Sequence, residues 1–220
     1  MRTPNSSSRR TDDFVLLLLC TGNICRSPLA ALLLRRGLGD LPVRVRSAGT
    51  AAHDGSPMTE PAQRTAEALG LRTAREHRAR QLTLTDLLEA DLVLGLAREH
   101  RREAAELLPS ASRRIFTLRE FARLSAAQEA PAAVTGPEVA DPRLHAVAGL
   151  RLGVESVART RGTLPPPADP AEADVLDPYR GGASAYERSA RQIVPAVEAV
   201  AELLRRSAAG RTEQLWAGLS

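Results

Sequence analysis

The stretch "FVLLLLCTGNICRSPLA", Phe14 to Ala30, decides the fold. An unbroken apolar run, Phe14 to Leu19, stops at a cysteine, and a helix-forming segment follows a few residues later. A short continuous apolar run bounded by turn-forming residues is what a strand buried on both faces of a parallel sheet requires. The run is too short to span a bilayer, and Asp12-Asp13 ahead of it differ from the basic start of a signal peptide. Ser27 can cap the following helix, Pro28 suits its first turn, and Gly37 or Gly39 ends it just past Arg36. The stretch therefore reads strand, tight loop, helix.

Working outward, "VRVRS" (Val43 to Ser47) alternates and predicts a second, more exposed strand. "ADLVLGLA" (Ala90 to Ala97) and "RIFTL" (Arg114 to Leu118) predict two more. Helical patterns fall at Pro57–Leu69, Glu99–Leu107, Pro142–Arg161 and Ser184–Arg206. Strands alternating with helices place the chain in the α/β class: a four-stranded parallel sheet flanked by helices, with a tight loop after strand 1 whose ligand is argued from its residues below. The Pro-rich, acidic segment Thr163 to Gly182 is expected to be irregular. Residues 1–12 are small and polar, and are expected to form a disordered tail. The folded domain is expected over 13–206, with an extended region at 125–174 and a tail at 207–220.

Composition excludes several classes. The chain has 220 residues, with 30 basic against 26 acidic side chains for a net charge of +4. Every basic residue is an arginine, and these are scattered with no interleaved aromatics, so nucleic acid is not expected as a partner. The two cysteines, Cys20 and Cys25, are too few for a disulfide framework or a zinc site. No metal, cofactor or membrane partner is expected. A cytoplasmic protein with reduced thiols follows from this cysteine usage.

The loop from Cys20 to Ser27 carries the chemistry. It lies where ligands bind in open α/β sheets, beyond the C-terminal end of a strand. Backbone N–H groups of such a turn, together with the helix N-terminus, make an anion site. Gly22 lets the backbone turn, and Asn23 tolerates a left-handed conformation. A thiol at a helix N-terminus beside an arginine is favoured as the thiolate. Arg26 can grip two oxygens of a bound anion at once. The ligand expected is a phosphate ester, and the chemistry a transfer to sulfur. An acid must then protonate the leaving oxygen. Asp169, Glu172, Asp174 and Asp177 share one loop, and composition alone does not choose among them. Pro178 biases Asp177 toward an extended conformation, and Tyr179 is placed to flank an aromatic substrate.

"CTGNICRSP" closely resembles the signature of bacterial low-molecular-weight protein tyrosine phosphatases, and the resemblance continues in order at "SAGT" (Ser47 to Thr50), "HRARQL" (His77 to Leu82) and "DPY" (Asp177 to Tyr179). It implies hydrolysis of phosphotyrosine in proteins, or of small aryl phosphates, through a phosphocysteine. Carried onto this chain, Cys20 is the nucleophile, Arg26 holds the phosphate, and Asp177 is the general acid. Thr21, Gly22, Asn23, Ile24, Cys25, Ser27 and Tyr179 contact the substrate. Ser27 also donates to the Cys20 thiolate, and His77 joins Asn23 in a supporting network. Cys25 is expected to guard Cys20 against irreversible oxidation by forming a disulfide with it.

Three departures stand out. Leu96-Ala97 replaces the family's usual Met-Asp and removes a carboxylate. His53 takes the place of an aromatic wall, and the 125–174 region is longer than the family minimum. Two other functions compete. One is an arsenate reductase using a small external thiol, since the chain has no third cysteine for a thioredoxin-coupled form. The other is a phosphate-binding pseudophosphatase, motivated by Ala97. A dinucleotide-binding domain is set aside because no GxGxxG follows the first strand.

Overall fold

The computed structural model describes residues 13–128 and 141–209. Four strands, β1 (Phe14–Cys20), β2 (Val43–Gly49), β3 (Leu92–Gly95) and β4 (Ile115–Thr117), form one sheet in the order β2-β1-β3-β4. Every neighbouring pair is parallel. The helices are α1 (Arg26–Leu38), α2 (Glu60–Ala68), α3 (Leu84–Glu89), α4 (Arg98–Leu107), α5 (Leu118–Ala126), α6 (Pro142–Thr160) and α7 (Ala183–Ala209). Among the described residues, no helix is long and apolar enough to cross a membrane.

Each residue of β1 is buried. Side chains alternate across a strand, so Phe14, Leu16, Leu18 and Cys20 join the core under α1, α5, α6 and α7. Val15, Leu17 and Leu19 join a smaller core against α3 and α4. The apolar run thus serves two packed layers at once. Helix α6 closes on α7 at a point where only glycine fits. A Cβ built at Gly149 would lie 2.1 Å from the Ser207 carbonyl oxygen.

The chain leaves β1 toward β2 on one side and later returns to β3 on the other. The C-terminal end of β1 is therefore the switch point of the sheet, where neighbouring connections diverge and open a crevice.

Several boundaries differ from the sequence reading. Helix α1 starts at Arg26, and Cys25 takes its N-cap position without a side-chain cap bond. Ser27 is consequently inside the helix and does not cap it; its hydroxyl is drawn to other partners described below. The helix read from Pro57 to Leu69 begins only at Glu60, because the Thr59 side chain caps it by accepting from the Ala62 N–H. β3 is shorter than Ala90–Ala97, since Leu96 and Ala97 leave the sheet to carry the chain into α4. Within the segment expected to be irregular, Pro170–Ala173 forms a short 3-10 turn. Helix α7 runs on to Ala209, so residues 207–209 of the expected tail are helical. The expected N-terminal tail, 1–12, and residues 210–220 lie outside the described residues.

Candidate active site

The loop after β1 has an inverted hydrogen-bond polarity. Its carbonyls point away from its centre and are engaged. Cys20 O accepts from the Thr50 N–H at 2.9 Å, Thr21 O from Ala51 at 2.9 Å, and Ile24 O from Thr59 at 3.0 Å. Among the described residues, no N–H from Thr21 to Cys25 donates to a protein acceptor. Five donors are thus left for a ligand, with the N-terminus of α1 behind them. Asn23 takes the left-handed turn at φ 53°. Gly22 does not have a positive φ, and a Cβ there would meet Ile24 Cγ1 at 3.3 Å.

The loop rests on Gly49 at the end of β2. A Cβ at Gly49 would lie 2.4 Å from Thr21 O and 3.0 Å from the Asn23 nitrogen. Gly49 also accepts from the Leu82 N–H and donates to Arg80 O, which brings residues 80–82 under the loop. There the Arg80 N–H donates to Asn23 Oδ1 at 3.1 Å. Because a backbone N–H can only donate, the Asn23 amide orientation is settled, and its Nδ2 donates to Ser27 Oγ at 2.9 Å. That leaves the Ser27 hydroxyl proton for Cys20 Sγ, 2.9 Å away. The relay runs Arg80, Asn23, Ser27, Cys20. His77 Nε2 donates to Asn23 O at 2.7 Å. Burial pushes the His77 imidazole below its ordinary pKa, the Asn23 bond opposes that, and Arg35 and Arg78 add to it.

Arg26 is buried, and its guanidinium reaches three groups at the rim. It donates to Asp177 Oδ2 at 2.9 Å, to Val175 O at 3.3 Å and to Thr21 Oγ1 at 3.4 Å. Asp177 is thereby brought to the loop across 151 residues of chain. The Val175 N–H donates to Leu96 O at 2.8 Å, and Asp174 accepts from the Arg98 N–H at 2.7 Å. Asp174 thus caps α4 from another loop, at a helix start where Ala97 offers no capping side chain.

The cleft above Cys20 encloses about 240 Å³. Ile24, Ala51, His53 and Tyr179 line it, with Asp177 its acidic side chain among the described residues. Of the residues expected at the site, Cys20, Thr21, Gly22, Ile24, Cys25, Arg26, Asp177 and Tyr179 line this cleft. Asn23, Ser27 and His77 do not. Asn23 and Ser27 are fully buried beneath the loop and act on its shape. Cys25 is 6% exposed, with its Sγ 3.3 Å from Thr59 Oγ1 and 3.8 Å from the Tyr186 hydroxyl. Burial raises its thiol above the ordinary value.

His100, Arg80, Thr59 and Tyr186 were not read from the sequence. His100 is completely buried, with Nε2 3.0 Å from Thr21 Oγ1 and 3.3 Å from Glu99 Oε1. Its Nδ1 has no partner. An unpaired lone pair is less costly there than an unpaired N–H, which places the proton on Nε2, facing those two oxygens. Burial, then the charge of Arg26, pushes the pKa of His100 down to about 3.

A thiol and a guanidinium at the two ends of a ligand-facing amide loop, at the switch point of a parallel sheet, define a class of anion-handling α/β domains. A family model for low molecular weight phosphotyrosine protein phosphatase matches residues 15–147, and the chain belongs to that family. It is 38% identical over 107 residues to a protein-arginine-phosphatase of Geobacillus stearothermophilus, covering 48% of this chain and 70% of that protein. It is 43% identical over 117 residues to low molecular weight protein-tyrosine phosphatase A of Mycobacterium tuberculosis, covering 50% of this chain and 69% of that protein. Among solved structures, the arginine phosphatase YwlE of Geobacillus stearothermophilus superposes with a TM-score of 0.61 at 25% identity, over 87% of this chain and 93% of that one. The tyrosine phosphatase Wzb of Escherichia coli K30 has the same fold, with a TM-score of 0.58 at 23% identity, over 86% of this chain and 96% of that one. Family membership makes this chain a phosphatase, a cysteine-dependent hydrolase.

The depressed pKa of His100 has a stability consequence. Unfolded, the imidazole titrates near 6.5; folded, it stays neutral to about 3. Between those values the unfolded chain binds a proton that the folded chain refuses, so stability falls as pH drops through 6.5. From pH 7.5 to 5 the wild type should lose about 2 kcal/mol more than a His100→Asn variant. Urea unfolding of both proteins at the two pH values measures this, and equal losses would clear His100 of the penalty.

Proposed function

We propose that this chain hydrolyses phosphate monoesters of phenols, either phosphotyrosine in a protein or a small aryl phosphate, through a phosphocysteine on Cys20. The observation that carries the reading is the Ser27 hydroxyl at 2.9 Å from Cys20 Sγ, inside a loop whose amides are free for an anion. A hydrogen bond from a hydroxyl favours the thiolate over the thiol. The thiolate attacks phosphorus while the loop amides of Thr21 to Cys25 and the Arg26 guanidinium hold the three non-bridging oxygens. Protonated Asp177 gives its proton to the leaving phenolate. The S–P bond forms as the P–O bond to the phenol breaks. Asp177, now a carboxylate, takes a proton from water, whose oxygen displaces the thiolate and releases inorganic phosphate.

Phenol esters fit the walls better than phosphoarginine, the substrate class named for two relatives. Ile24, Ala51 and Tyr179 offer apolar and aromatic surface to a ring. A cationic guanidinium leaving group would call for a carboxylate of its own, and Asp177 is already committed to the leaving atom. We place the reaction in the cytoplasm, where thiols stay reduced.

Hydrolysis of p-nitrophenyl phosphate between pH 5 and 7 tests the proposal. Cys20→Ser should abolish turnover, and Asp177→Asn should lower kcat by about 100-fold or more. Absence of wild-type hydrolysis, with thiol-dependent arsenate reduction or phosphate binding alone, would overturn it. We further propose that Cys25 guards Cys20. After peroxide and then thiol treatment, Cys25→Ser should recover less activity than wild type, and equal recovery would remove that role.

A further inference from the structure

We propose that the cavity between α4, α5 and residues 161–173 binds an organic polyanion with an apolar body, and that its occupancy acts on the loop bearing Asp177. The cavity encloses about 550 Å³, more than twice the volume of the cleft above Cys20, and shares no lining residue with it. That volume is within the usual range of small-molecule sites.

Much of the lining is cationic. Arg98 and Arg101 come from one face of α4, Arg119 and Arg123 from one face of α5, and Arg161 from the turn after α6. Glu120 and Glu172 are the acidic side chains of its lining. Glu120 is taken up by Arg161, at 2.9 Å. Arg119 and Arg123 are held by backbone carbonyls, those of Asp174 at 2.9 Å and Pro165 at 3.0 Å. A carbonyl orients a guanidinium without neutralising it. The carboxylate nearest to Arg101 is Glu120, at 3.8 Å. Each guanidinium has five N–H donors in a fork matched to phosphate or carboxylate, so most donors of Arg101, Arg119 and Arg123 remain for a ligand.

The rest of the lining is mainly apolar, built by Leu124, Leu164, Pro166, Pro167 and Pro170. The prolines fix φ and make this wall before any ligand arrives. A small inorganic anion would leave that wall unused. The chemistry that meets both parts of the lining is a di- or polyanion attached to an apolar ring or chain, as in a nucleoside diphosphate. This gives the extended region, which supplies Arg161 and the whole apolar wall beyond α5, a binding role.

The cavity reaches the catalytic loop through Asp174. Arg98 holds the Asp174 carboxylate at 2.8 Å, and Arg119 holds its carbonyl. Val175, next in the chain, is pinned to Leu96 and Arg26, and Asp177 follows. An anion that engages Arg98 and Arg119 competes with Asp174 for the same donors and loosens the tether of Asp177. The effect on turnover rests on the acid role proposed for Asp177; binding itself does not.

The test is calorimetric titration with ADP, pyrophosphate and adenosine as probes. It uses wild type, wild type with the cleft filled by benzylphosphonate, and the Arg101→Gln/Arg123→Gln variant, whose changes lie on exposed or half-exposed side chains. ADP should bind the first two alike and bind the variant at least about tenfold more weakly, with pyrophosphate and adenosine each weaker than ADP. Saturating ADP should lower kcat for p-nitrophenyl phosphate by about threefold with KM little changed. No ADP binding up to about 5 mM, loss of binding in the presence of benzylphosphonate, or full binding by the variant overturns the site. Pyrophosphate binding as tightly as ADP overturns the apolar-body requirement. ADP binding that leaves kcat unchanged overturns the link to Asp177, while failure of the acid role itself would show in ligand-free turnover of Asp177→Asn.

Discussion

Asn23 holds its backbone at φ 53°, and three groups keep it there: the His77 ring on its carbonyl, the Arg80 N–H on its side-chain oxygen, and Ser27 on its side-chain nitrogen. A left-handed non-glycine residue persists only where its surroundings over-determine it. Here they do so from two separate parts of the chain. The same contacts fix the Asn23 amide, free the Ser27 hydroxyl proton and aim it at Cys20. Remove them and the loop loses both the turn that frees its N–H groups and the donor to its thiol. The site is therefore a property of how residues 77–82 dock beneath residues 20–27, with Gly49 thin enough to let them meet.

The rim is built by a different device. Asp174, Val175 and Asp177 are zipped in succession onto Arg98, Leu96 and Arg26. Asp174 also caps α4, where Ala97 has no side chain to do so. That cap is a residue the sequence offered only as one of four acids. Asp177 is left at the rim with its side chain about half exposed. Asp174 is tied down, which separates two acids that composition could not tell apart.

How much was legible follows from how local each feature is. The strand, the loop and α1 are contiguous, so one stretch of sequence carries the fold and the thiol–guanidinium pair together. The four-stranded sheet and its parallel sense were readable from alternation of elements, whereas the order β2-β1-β3-β4 was not. Helix α3 and the exact start of α2 were not, because a short capped helix is set by single side chains such as Thr83 and Thr59. His100 was invisible for another reason. It sits in an Arg-rich surface helix whose other face is solvated, and nothing in its neighbours announces that it turns inward under Thr21. Its i, i+4 relation to Ala104, the other buried residue of α4, is the one signal that marks this face. Arg80 acts through its backbone, which no side-chain pattern reports. Ser27 was misplaced as a cap, because a serine ahead of Pro28 looks the same at the N-cap and inside the first turn.

In the proposed reaction, phosphate passes to Cys20 with Asp177 serving the leaving group and then the water. The most direct measurement is rapid-quench mass spectrometry of an Asp177→Ala variant during turnover of p-nitrophenyl phosphate, whose leaving group needs little protonation. A phosphorylated peptide containing Cys20 should build up, because the second step lacks its base. Phosphate on any other residue, or turnover with Cys20 unmodified throughout, would contradict it.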